Sequence, residues 1–263
     1  MLKKARKGAL FVFHYFGFYP EQLFTNFGGI PWVLNDYRKL KKQNKQQVRS
    51  AAFGMPIPYF KDKNDTSGSL SGHYFHQDLN VAQKIFNNNP SKHVDIGSRT
   101  DGFVAHVASF RNIEVLDIRE TEVQIPNITF VKADLMSNDE KWINYADSVS
   151  CLHVIEHFGL GRYGDPIDIQ GHWKGLENIH KLLKTGGKFY FSTPIGPEKI
   201  HFNAHRVFHL STLVNYLSDC YTIDDFSYVD DAGKHHRNVK MEDGLSNNFH
   251  CKFGCAIFEL TKK

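Results

Sequence analysis

No stretch of this 263-residue chain reaches 18 consecutive apolar residues, the length that a helix crossing a membrane requires. Cysteine is scarce: Cys151, Cys220, Cys251 and Cys255 are the four, too few for a scaffold built on disulfides. The CxxxC spacing of the last two lacks a second pair of zinc ligands beside it. All four read as small buried thiols in a reducing compartment. Internal repeats and low-complexity runs are missing as well. With 41% hydrophobic, 23% charged and 14% aromatic residues, the composition is that of a globular α/β-sized chain. Two features that could suggest metal binding are weak. Asp230-Asp231 reads as a solvated turn and His235-His236 as a solvated surface pair, so no metal is expected.

Charge is unevenly spread. The net charge is +4, yet residues 1–49 hold ten Lys/Arg against two Asp/Glu, and the rest holds 22 against 26. The basic front end is rich in bunched aromatics, among them Phe11, Phe16, Phe24, Phe27 and Trp32. Three readings apply: a cap packed on the remaining chain, an interfacial segment on an anionic membrane, or a nucleic-acid surface with bases stacked on rings. Bunching of the rings, rather than interleaving with the basic clusters, favours the cap, keeps peripheral membrane contact as the second reading, and leaves nucleic acid as the least expected partner. The apolar run 9–19 is broken by His14 and Gly17 and is followed by Pro20-Glu21-Gln22, not by a small-residue cleavage site. A cytoplasmic protein is expected, in peripheral contact with the inner membrane under the second reading.

The order of elements is informative. Residues 1–50 read as irregular helix and loop, and 54–72 as loop, so residues 1–72 form an extension and 73–263 a domain. Tyr74–Phe86 has helical spacing of its apolar residues, stopped by Asn87-Asn88-Asn89-Pro90. Strands are predicted at Lys92–Ile96, Glu114–Ile118, Ile128–Lys132, Ser148–Val154 and Lys188–Ser192, with helices at Gly102–Phe110, His172–Leu183 and Leu210–Leu217. Tyr221–Val229 and Cys255–Leu260 close the chain as strands. Alternation of this kind predicts a doubly wound parallel sheet. The last two strands, joined by a polar loop, predict an antiparallel edge.

Three acids fall at successive strand ends: Asp95 before the turn Gly97-Ser98, Asp117 before Ile118, and Asp134 before Leu135. In open α/β sheets, ligands bind at the carboxyl ends of the strands. An acid 20 residues past a glycine turn, as Asp117 is past Gly97, is placed to accept both hydroxyls of a ribose. Asp134 is placed to accept from the amine of adenine. The GxGxxG fingerprint that seats a pyrophosphate is missing, because Arg99 and Asp101 occupy the later glycine positions. A nucleoside ligand without phosphate is favoured. S-adenosylmethionine is one, with Asp95 able to attract its amino group and Arg99 its carboxylate.

On these residues, together with HVIEHFGLGRYGDP at 153–166, LLKTGGKFYFSTP at 182–194 and FNAHRVF at 202–208, the segment 73–260 resembles class I S-adenosylmethionine-dependent methyltransferases. The 153–166 segment is similar to that of a bacterial branch often associated with surface-polysaccharide genes. The resemblance implies a three-layer Rossmann-like methyltransferase fold: a mostly parallel seven-stranded sheet with an antiparallel C-terminal hairpin, preceded here by the basic-aromatic extension. It implies S-adenosylmethionine as cofactor, S-adenosylhomocysteine as product, and a cofactor site drawn from Asp95, Gly97, Ser98, Arg99, Asp117, Ile118, Asp134, Leu135, His153 and Glu156.

Methyl transfer to a hydroxyl needs alignment and a base to take the acceptor's proton. His157 and His205 are the base candidates, each beyond a strand end and each with an ordinary pKa near 6.5. Tyr74, Arg162, Tyr163, Asp165, Asn203 and Arg206 are expected to bind the acceptor, with Asn203 and His205 sharing one direction on an extended segment. The expected acceptor is a hydroxyl of a small molecule such as a sugar, a sugar nucleotide or a related surface-glycan precursor. The alternatives are a nitrogen, phosphate-derivative or RNA acceptor, or a non-catalytic binding protein retaining the fold.

Overall fold

The structure is a computed structural model that describes residues 13–47, 51–60, 62–64, 68 and 70–263. Lys3, Lys4, Arg6, Lys7, Phe11 and Arg49, part of the basic-aromatic front end, lie outside the described residues. The chain divides into two compact units, Met1–Ser69 and Leu70–Lys263.

In the first unit, helix α1 spans Pro20–Asn44 as one 25-residue element, where irregular helix and loop was expected. Pro20 stands in its first turn, where a missing N–H costs nothing. The polar run 38–44 continues the helix because Arg, Lys, Leu and Gln are strong helix formers even without an apolar stripe. Pro31 lies inside it. Phe24 and Phe27 are exposed. Among the described residues, no helix is long and apolar enough to cross a membrane.

The second unit is built on one sheet in the order β3-β2-β1-β4-β5-β10-β8-β9. Its strands are β1 (His93–Ile96), β2 (Ile113–Asp117), β3 (Ile128–Lys132), β4 (Ala146–Leu152), β5 (Leu183–Ile195), β8 (Tyr221–Val229), β9 (His235–His236) and β10 (Gly254–Lys262). The first five pair in parallel. β10 runs antiparallel between β5 and β8, so the expected antiparallel C-terminal pair is present. The eighth strand, beyond the seven expected, is the two-residue β9. A separate hairpin, β6 (Lys199–His201) with β7 (His205–Val207), follows β5.

Alternation along the strands sends side chains to two separate cores. Val115, Tyr190 and Ile257 pack with Val81 and Ile85 of α2 (His73–Asn88) and Val107 of α3 (Ala105–Ala108). Leu116, Phe189, Phe191 and Phe258 pack with Leu176 and Ile179 of α4 (Gly171–Leu182) and Leu213 and Leu217 of α5 (Leu210–Cys220). The result is three layers, helix–sheet–helix. Alternate side chains go to opposite faces, and both faces are apolar because helices cover each of them. The chain winds β1→β2→β3 to one side and resumes at β4 on the other. A crevice therefore opens at the carboxyl ends of β1 and β4, where the winding reverses.

Three of the cysteines are buried and Cys220 is half-buried; all four are free thiols. The pair His235-His236, expected to be solvated, is half-buried instead. His236 stacks on Tyr228 at 4.6 Å and bonds to Asp230 at 2.7 Å. Asp231 accepts from the backbone N–H groups of Lys252 and Phe253. Two acids that looked solvated thus fix a turn.

A cleft at the carboxyl ends of the strands

Gly97 makes the turn that leaves β1. Its φ of +61° lies in the left-handed region, and an added Cβ would sit 3.1 Å from Val154 Cγ1 and 3.8 Å from Asp117 Oδ2. Its N–H donates to Leu116 O at 2.9 Å. Gly97→Ala is expected to destabilise the protein by about 1–2 kcal/mol, seen as a lower urea midpoint with an unchanged slope.

Asp95 does not reach a ligand. It is fully buried, and its carboxylate accepts from Ser98 N–H at 2.8 Å, Ser98 Oγ at 2.7 Å and Ser150 Oγ at 2.6 Å. Burial pushes its pKa up to about 6. The expected contact with an amino group is corrected: Asp95 holds the turn from behind, because its oxygens face the sheet. Ser98 spends its N–H on Asp95, and its hydroxyl also accepts from Leu152 N–H.

Two adjoining cavities share a wall formed by Gly97, Arg119, His153, His157 and Tyr163. The first, about 570 Å³ including its open mouth, is lined by Ile96, Leu116, Ile118, Leu135, Met136 and Phe158, with Asp117 and Asp134 at its edge. It is an apolar slot with two acids on its rim. Asp117 is held by Arg119, whose Nη2 and Nε donate to its two oxygens at 2.6 and 2.9 Å. Asp134 accepts from Met136 N–H at 2.8 Å through one oxygen.

The second cavity, about 1130 Å³ including open space, is polar. Tyr74, Ser98, Arg99, Glu156, Arg162 and His205 line it. Arg99 is exposed, bonded to Asp101 at 2.8 Å and set over the Tyr74 ring at 5.1 Å. Glu156 is buried and accepts from His153 Nδ1 at 2.7 Å. Burial opposes both charges, yet the Cys255 sulfur first and Glu156 next favour the charged form of His153, and His153 favours that of Glu156. The Glu156 carboxyl is held below its usual range and the His153 imidazole well above its own.

His157 is buried at the wall between the two cavities. Its Nδ1–H donates to Ala204 O at 2.6 Å, which leaves Nε2 as the lone-pair nitrogen. Burial lowers its pKa, against the pull of Glu156, whose Oε1 lies 3.9 Å from Nε2. A neutral imidazole with its far nitrogen tethered is what a general base requires. His205, on β7, is half-buried at the rim of the polar cavity, where burial lowers its pKa first and His201 next.

Three expected acceptor residues have other work. Arg206 is 3% exposed and lines neither cavity. Its guanidinium donates to the backbone carbonyls of Glu156, Phe158, Asp168 and Ile169, clamping the loop after β4. Asp165 borders the apolar cavity, but its carboxylate accepts from the N–H groups of Gly159, Gly161 and Tyr163. It shapes the loop and does not pair with Arg162, which donates to Ala204 O at 3.0 Å. The turn it holds needs Gly159, where φ is +75° and a Cβ would meet Asp168 O at 2.0 Å. Asn203 is exposed in the β6–β7 turn and lines neither cavity. The extended segment expected there is a hairpin, so Asn203 and His205 do not share a direction.

Arg119 and Phe253 also line the cleft without having been expected in the site; His73, next to Tyr74 in the segment before β1, lines it as well. Arg119 had a signal, a cation two residues past the strand-end acid. Phe253 had none: it comes from the segment before β10 and packs its ring on His73 at 5.4 Å and on His205 at 4.9 Å.

Two solved structures share this fold. The 1,6-didemethyltoxoflavin-N1-methyltransferase of Burkholderia thailandensis, crystallised with 1,6-didemethyltoxoflavin and S-adenosylhomocysteine, is 16% identical, with a TM-score of 0.50 over 71% of this chain and 78% of that one. The [4+2]-cyclase SpnF is 15% identical, with a TM-score of 0.51 over 71% of this chain and 80% of that one. At this identity the likeness establishes the Rossmann-like methyltransferase fold, and the second neighbour is named for a cyclisation. No curated protein matches the sequence. The family described as "Caenorhabditis protein of unknown function, DUF268" matches residues 102–247, more than half of the chain, and the chain belongs to that family.

Proposed function

We propose that the protein transfers a methyl group from S-adenosylmethionine to a hydroxyl of a small, polar, sugar-like acceptor. The observation that carries the reading is the apolar cavity lined by Asp117, Asp134 and the turn residue Gly97. Its walls suit a flat purine, and its acids suit a ribose and an exocyclic amine. The turn offers no run of glycines to a pyrophosphate, and Asp101 beside it disfavours one. S-adenosylmethionine would bring a methyl group on a cationic sulfonium. Arg99 would bind its carboxylate, with Tyr74 beneath the guanidinium. The polar cavity, with Arg162, Tyr163 and His205, would hold the acceptor. His157 Nε2 would take the hydroxyl proton, and Glu156 would stabilise the imidazolium that results. A nitrogen or phosphate-bearing acceptor would need less of this base, which is why a hydroxyl is favoured. A surface-glycan precursor is the class of compound that such an acceptor belongs to.

Calorimetric titration with S-adenosylmethionine, S-adenosylhomocysteine and NAD tests the cofactor. Binding of the first two and not the third is expected. The reverse pattern overturns the reading. Release of S-adenosylhomocysteine with a panel of sugars, sugar nucleotides and amines then tests the acceptor; turnover confined to the amines overturns the hydroxyl.

A further inference from the structure

Beside the proposed transfer site, three segments distant in the chain bring together two imidazoles and a thiol. His73 opens α2, His153 follows β4, and Cys255 lies near the start of β10. The donor atoms of the three all lie within 4.8 Å of one another. The imidazoles stack with centroids 5.0 Å apart and planes 9° apart, and His73 Nδ1 lies 3.1 Å from His153 Nε2. His153 holds this position at φ +57°, a conformation rare in a non-glycine residue.

We infer that His73, His153 and Cys255 form a binding site for a single zinc ion. Two nitrogens and one sulfur are a ligand set that suits zinc over magnesium or calcium. The outer contacts match those of ligating histidines. His153 gives its remaining N–H to the buried Glu156 carboxylate at 2.7 Å, the carboxylate–histidine arrangement that fixes the ring and strengthens its ligating nitrogen. His73 has a backbone hydrogen bond to Phe253. Cys255 Sγ is buried and lies 3.7 Å from Gln77 Oε1, itself held by Ser192 Oγ at 2.6 Å. On binding, the Cys255 thiol and the His153 Nε2–H each give a proton to solvent, so the sulfur ligates as thiolate and the imidazole as a neutral ring.

Three protein ligands are the number that leaves a fourth, open position on zinc. His73 and His153 line the polar cavity, so the open position would take an oxygen or nitrogen of the acceptor. That last role rests on the methyl-transfer reading; zinc binding itself does not.

The experiment uses the full chain without S-adenosylmethionine, so failure of zinc binding and failure of cofactor binding are read separately. After chelator treatment, zinc titration against a chromogenic competitor is expected to give one equivalent per chain. Cobalt substitution is expected to give a near-ultraviolet thiolate-to-cobalt band with tetrahedral visible bands. Cys255→Ser and His73→Gln should each abolish stoichiometric binding, while Cys220→Ser keeps it. Glu156→Gln should weaken binding about 10- to 100-fold. Circular dichroism of each variant checks its fold, and His73, at a helix start on the cavity rim, is the variant least exposed to misfolding. The proposal is overturned if the wild-type chain binds no zinc, if binding is undiminished in folded His73→Gln, or if bound cobalt lacks the thiolate band.

Discussion

Replacing Asp117 by alanine is expected to weaken S-adenosylhomocysteine binding by about 10- to 140-fold, measured by calorimetry. The carboxylate sits at the end of β2 on the rim of the apolar cavity. Arg119 grips both of its oxygens, and Arg119 N–H donates to Oδ1 at 2.8 Å. The carboxylate is therefore oriented before a ligand arrives, and little ordering remains to oppose binding. Hydrogen bonds to a charged acceptor contribute about 1.5–3 kcal/mol, and each 1.4 kcal/mol is about a factor of ten in affinity, which gives the range. Asp117→Asn keeps the shape and loses the charge, so an intermediate loss is expected. Arg119→Ala should cost less than Asp117→Ala, because it removes only the orienting partner, whose guanidinium otherwise lies 4.7 Å over the Tyr163 ring. Undiminished affinity in Asp117→Ala would remove the ribose assignment.

What the sequence made legible follows the range over which its signals act. Strands β3 and β8 occupy the residues expected, Ile128–Lys132 and Tyr221–Val229, because short runs of β-branched and aromatic residues between polar breaks are local signals. The acid series at the strand ends was legible for the same reason, and Asp117 and Asp134 do rim one cavity. Asp95 had the same signature and a different role, since a carboxylate facing Ser98 and Ser150 is used up inside the sheet. Helix α1 was misread because a polar run of good helix formers looks like a linker when periodicity is the criterion. Arg206 looked like an acceptor-binding residue. Its carbonyl partners lie 37 to 50 residues away, and nothing near Arg206 in sequence announces them. The same holds for His73 and His153, 80 residues apart, and for Cys255, whose single spacing to Cys251 suggested only a buried thiol. Contacts between distant segments need the sheet order before they can be read.

The last consequence concerns the base. His157→Ala is expected to lower kcat for a hydroxyl acceptor by about 10²- to 10⁴-fold, the span usual for general-base catalysis, with S-adenosylhomocysteine affinity nearly unchanged. His205→Ala should have a smaller effect, since His205 lies at the half-buried rim. The pH dependence separates a base from a packing residue. His157 must be neutral to accept the proton, so the rate should be flat above neutrality and fall as pH drops through its folded pKa. Burial sets that pKa below 6.5. The charged and titratable groups that face it are Glu156 from its own turn, Arg162 and Tyr163 from the loop after β4, His153 and His205. Glu156 raises the pKa, whereas Arg162 and His153 lower it. Glu156→Gln should therefore move the acid limb of the rate profile to lower pH, and Arg162→Ala should move it to higher pH. A residue that only packed would alter the rate at every pH alike and leave the limb in place. If His157→Ala keeps both the rate and the limb, the proton leaves by another route, and the rigid tether of His157 to Ala204 serves only to join the β6–β7 hairpin to the loop.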